Sequence, residues 1–82
     1  HDGSLEFRLG ELEVTESSGM AGQTLRETRL RERTGAMVLA MRTPGGEFLT
    51  NPPATTPLRP GHVLIAVGTE DQLGDLRRAV QS

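Results

Sequence analysis

Residues 36–50, Ala-Met-Val-Leu-Ala-Met-Arg-Thr-Pro-Gly-Gly-Glu-Phe-Leu-Thr, decide the architecture of this 82-residue chain. Ala36 to Met41 is a continuous apolar run of strand length, the pattern of a central strand covered on both faces. Pro44-Gly45-Gly46 turns the chain, and Glu47 to Thr50 returns as the second strand of a hairpin. Asn51-Pro52-Pro53 stops that strand, because proline has no N–H to give a ladder. A Thr/Pro-rich connection closed by Pro60-Gly61 leads to Val63–Val67, a second fully apolar strand.

Working outward, Leu5, Phe7 and Leu9 alternate with polar residues at the period of a half-buried strand. The alternation resumes out of phase at Leu12 and Val14, so one extra residue near Gly10-Glu11, a β-bulge, is expected. Thr24 and Glu27 have capping-box spacing and open an Arg-rich segment. Its large apolar residues, Leu25 and Leu30, make no clean stripe. The segment therefore reads as a short helix, broken near Arg29 and ended by Gly35. At the other end, Thr69 and Gln72 repeat the capping box, and Glu70 and Asp71 complement the helix dipole. Leu73, Leu76 and Val80 then share one helical face. The expected fold is α+β, in the order β-α-β-β-β-α, with a small mixed four-stranded sheet and two helices.

Composition narrows the function. The chain is one small domain, 1–82, with 34% apolar residues, two Phe and no Cys, Trp or Tyr. Such a thin core, with no disulfides to compensate, predicts burial against a partner. Net charge is −2, and all nine basic residues are Arg, which provides no general basic field for nucleic acid. No apolar run reaches the roughly 18 residues of a membrane span. The opening His1-Asp2-Gly3-Ser4 has no initiating Met and reads as part of a longer protein. No nucleophile–base set, carboxylate pair or phosphate-cradling Gly-rich loop is present, so no enzyme activity is expected. Glu11, Glu13 and Glu16 lie along a strand without a ligand-rich loop, and His62 has no companion His or Cys; no metal site follows.

Two segments carry a family likeness. Gly22-Gln23-Thr24-Leu25-Arg26-Glu27, followed by Arg33-Thr34-Gly35-Ala36-Met37-Val38-Leu39-Ala40-Met41-Arg42, resembles the first half of the TrkA-C domain. This domain is also the C-terminal lobe of the RCK (regulator of potassium conductance) module. Asn51-Pro52, Leu58-x-x-Gly61 and the apolar strand ending Val67-Gly68-Thr69 resemble its second half. The resemblance covers about residues 5–80. It implies a cytoplasmic regulatory domain of a bacterial potassium channel or transporter that pairs as a homodimer. Its implied partners are an upstream Rossmann-type RCK lobe and a membrane pore or transporter subunit. In some members the cleft between two lobes binds cyclic di-AMP. One departure stands out: the family usually has Gly-Asp before the last strand, where this chain has Gly61-His62. A turn-stabilising bond from that Asp cannot be carried over.

The resemblance places Asn51 and Pro52 at the inter-subunit cleft. An Asn amide can read an adenine edge, and Arg42 or Arg59 can pair with a phosphate, with Ala40 and Met41 adding apolar contact. The alternative for each is structural: Asn51 as a strand terminator, Arg42 as a solvated strand end. Arg26, Arg29, Arg31 and Arg33, interleaved with Glu27 and Glu32 and without aromatics, read as a solvated helix surface with local ion pairs. Two other readings of the whole are the same module on a cation/proton antiporter and a ligand-free dimerisation module.

Overall fold

The computed structural model describes residues 6–82. Leu5, the first residue of the expected first strand, lies outside them. The chain runs β1 (Arg8–Glu13), α1 (Leu25–Thr28), α2 (Leu30–Thr34), β2 (Met37–Arg42), β3 (Phe48–Thr50), β4 (Val63–Gly68) and α3 (Glu70–Gln81). The strands form one sheet in the order β1-β4-β2-β3. All three pairings are antiparallel, so the sheet is not mixed. Placing the last strand between β1 and β2 makes every neighbour antiparallel.

Helix ends follow local chemistry. In α3 the Gln72 N–H donates to Thr69 Oγ1 (3.2 Å), and the Thr69 N–H donates to Gln72 Oε1 (3.0 Å). Thr24 and Glu27 do the same for α1. The Arg-rich segment is broken at Arg29, which is left-handed (φ 52°) and separates two single-turn helices. Gly35 ends α2 at φ 82°, a conformation that glycine adopts without a Cβ clash.

One face of the sheet is covered by helix. Leu12, Met41, Leu64 and Ala66 pack there with Leu73, Leu76 and Val80 of α3 and Leu30 of α2. Two expectations are corrected. β1 pairs with β4 in unbroken register from Arg8↔Gly68 to Glu13↔Val63, so β1 has no bulge. The phase slip is a change of face: Gly10, Leu12 and Val14 occupy the covered row, while Phe7 and Leu9 are 68% and 69% exposed. Gly10 hides the pattern because it brings no side chain to a core position, where a Cβ would lie 3.4 Å from Leu73. The actual bulge is in β2, between Val38 and Ala40. Second, β2 is not covered on both faces. Its Met37 is 38% exposed, on the face opposite the helices.

Candidate functional site

β3 is short. It pairs only with Ala40–Arg42 of β2, leaving Met37 and Val38 with no strand partner on that side among the described residues. A groove of about 590 Å³ opens there, with Met37, Val38 and Ala36 at its base. One wall is Leu25, Arg26, Leu30 and Arg31 of α1 and α2; the other is the turn Asn51–Ala54. The walls are tied together by backbone bonds: the Leu25 N–H donates to the Thr56 carbonyl (3.0 Å) and the Arg26 N–H to the Ala54 carbonyl (2.9 Å). The volume lies within the range that holds a small organic ligand.

Asn51 leaves β3 in the left-handed conformation (φ 47°), which Asn tolerates better than most residues. Its N–H donates to the Leu39 carbonyl at 2.8 Å, fixing the turn against the β2 bulge. Asn51 itself is exposed on the groove wall and Pro52 half-buried.

The other sequence candidates sit elsewhere. Met41 is fully buried in the core, and Ala40 is 5% exposed. Arg42 shares a row with Val63 and Phe48 on the open sheet face and pairs with Glu11 at 3.6 Å. Arg59 belongs to the turn before β4, where its N–H donates to His62 Nδ1 at 3.2 Å. His62 thus supplies a side-chain acceptor to this turn. The bond depends on a neutral imidazole. Burial, and then the nearby Arg59 charge, hold the His62 pKa below its ordinary value.

Arg26 and Arg31, read from the sequence as a solvated helix surface, are exposed as expected and also line the groove. The local ion pairs expected in that cluster are not formed among the described residues. Glu27 is occupied by the capping box, and Arg33 donates to the Thr28 carbonyl at 3.3 Å. The signal available in the sequence was the break at Arg29. No group of acidic, His or Cys side chains suited to a metal ion occurs among the described residues.

A known family covers nearly all of these elements: residues 9–81 match the TrkA-C domain. The chain belongs to the TrkA-C domain family. Potassium channel protein 1 of Methanocaldococcus jannaschii is 32% identical over 68 residues, covering 83% of this TrkA-C domain and 20% of the relative. The chain thus spans about a fifth of the length of that channel protein. Among solved structures, the RCK C domain of the potassium transport protein KtrA in complex with cyclic di-AMP superposes with a TM-score of 0.80. The two are 30% identical, over 89% of this chain and 82% of that one. The RCK_C domain dimer of Streptococcus agalactiae BusR, also in complex with cyclic di-AMP, gives 0.81 at 25% identity, over 88% and 93%. The TrkA-C domain is a regulatory domain. No helix among the described residues is long and apolar enough to cross a membrane.

Proposed function

We propose that this TrkA-C domain is the regulatory lobe of a potassium channel or transporter, that it pairs with a second copy, and that it takes cyclic di-AMP in the groove beside Asn51. The observation that carries the reading is the groove itself. It is lined by Asn51 on a left-handed turn, by apolar Leu25, Ala36 and Val38, and by Arg26 and Arg31, residue types that can meet a purine phosphodiester. Structurally similar domains bind this ligand, which supports the choice of messenger. Pairing is supported by the open sheet face, where Leu9 and Phe48 are more than half exposed.

In the full-length protein, binding would favour one relative angle of two lobes over another and so bias an attached pore or transporter. A ligand shifts such an equilibrium only by its differential affinity for the two states. The lobe has no catalytic role in this scheme. Calorimetric titration with cyclic di-AMP tests the reading, with Asn51→Ala expected to weaken binding. Absence of heat with the wild-type chain at high concentration sinks the messenger assignment and leaves the ligand-free dimerisation module.

A further inference from the structure

The groove has two features that the ligand assignment does not by itself explain. First, Arg29 and Asn51 are the two non-glycine residues with positive φ among the described residues, and each sets a groove wall. Left-handed backbone costs a non-glycine residue about 1–2 kcal/mol and gathers where a site requires it. Second, Arg26 and Arg31 both line the groove although they are five positions apart. In an unbroken helix that spacing puts two side chains about 140° apart around the axis. The left-handed turn at Arg29 starts a new helix, whose Leu30 (3% exposed), Arg31 and Glu32 line the groove together with Arg26.

Neither guanidinium forms an ion pair among the described residues. Glu32 also lines the groove, a carboxylate suited to accept from a ribose hydroxyl or an adenine amino group. Opposite the arginines stands the Asn51 amide, a donor and acceptor in one plane.

We propose that Arg26 and Arg31, brought onto one wall by the left-handed turn at Arg29, form the phosphate-binding element of the groove, in place of Arg42 or Arg59. The assignment rests on the cyclic dinucleotide reading above for its ligand, but its chemistry, a phosphodiester or pyrophosphate on two guanidinium groups, can be tested apart from it. Arg29 acts through the backbone, and its own charge is dispensable.

The test uses the 82-residue chain in two titrations. In the first, cyclic di-AMP is followed by calorimetry with wild type, the double variant Arg26→Gln/Arg31→Gln, Arg42→Gln, Arg59→Gln and Arg29→Gly. All five arginines except the half-exposed Arg42 are exposed, so the variants retain the fold, which circular dichroism checks. The double variant should bind at least about tenfold more weakly, the scale of a lost charge-assisted hydrogen bond. Arg42→Gln and Arg59→Gln should change affinity less than about twofold, as should Arg29→Gly, because glycine keeps the turn. In the second titration, inorganic pyrophosphate is followed by NMR at the arginine Nε–Hε signals, with Arg26 and Arg31 expected to shift. If wild type binds cyclic di-AMP but the double variant binds equally well, or Arg42→Gln, Arg59→Gln or Arg29→Gly carries the loss, the arginine assignment is overturned and the ligand reading stands. If cyclic di-AMP gives no heat while pyrophosphate shifts Arg26 and Arg31, the messenger falls and the phosphate element stands. Silence in both titrations overturns both.

Discussion

Both faces of the sheet carry apolar residues, but only one is covered, and the open one also holds Glu11, Glu13 and Arg42. Toward the helices, Leu12, Leu64 and Met41 form one cross-strand row and Gly10, Ala66 and Val38 another, beneath Leu73, Leu76 and Val80. On the opposite side the rows are Leu9–Val67–Met37, Glu11–Ile65–Ala40–Thr50 and Glu13–Val63–Arg42–Phe48. Val63, Ile65 and Val67 are half-buried there. The chain thus places large apolar side chains in two environments, packed under helices on one face and beside charged residues on the other. The contrast teaches that its apolar content is divided: the helix side folds the domain, and the open side is the surface that the pairing proposed above would use.

The largest expected effect tests the covered side. Leu76→Ala, which empties a fully buried site, should lower unfolding stability by about 3 kcal/mol, within the range seen for buried Leu to Ala changes. Leu9→Ala on the open side should cost less than about 1 kcal/mol when measured at dilution. Urea unfolding at low protein concentration reads both. Equal losses would show that the two faces are equally covered within one chain and would end the comparison.

A second experiment sharpens the contrast by raising the concentration. If the open face pairs two copies, wild type should run as a dimer by size-exclusion chromatography with light scattering. Phe48→Asp should then be monomeric with an unchanged far-ultraviolet spectrum, because Phe48 is 56% exposed and lies outside the core cluster. A dimer that survives Phe48→Asp would place the pairing surface elsewhere.

The sequence reveals these two faces unequally, for physical reasons. Caps and breaks are local: Thr24, Thr69, Arg29 and Gly35 each act through neighbours within a few residues, and the structure has all four where the spacing puts them. Face assignment is not local. Period-2 alternation marks which residues differ from their neighbours, and it points to a core only if the other face is polar. Here Phe7 and Leu9 imitate core positions, Gly10 conceals one, and the bulge at Leu39 is invisible within an all-apolar run. The candidate site divides the same way. Asn51-Pro52 announces its turn in the sequence. Arg26 and Arg31 read as a solvated surface because Glu27 and Glu32 interleave them; the break at Arg29 is legible, but which side chains it turns toward the groove is not local information.

The smallest expected effect falls on the turn between the two faces. His62 Nδ1 accepts the Arg59 N–H, and its carbonyl accepts the Val14 N–H at 2.8 Å, joining the turn to the end of β1. Its pKa lies below the ordinary 6.5, because burial and then Arg59 disfavour the imidazolium. The unfolded chain therefore takes up this proton at a higher pH than the folded one. The stabilising contribution of neutral His62 is fully present above the unfolded value and is lost as pH falls through the folded value. Thermal unfolding between pH 8 and 5 should show a small decline in midpoint below about pH 6.5. His62→Asp should remove that component, because a carboxylate accepts the same N–H and stays ionised down to about pH 4. Arg59 then works in the opposite sense, opposing charge on His62 but favouring it on Asp. A His62→Asp variant that keeps the wild-type decline would show that the decline does not arise from His62 and its turn.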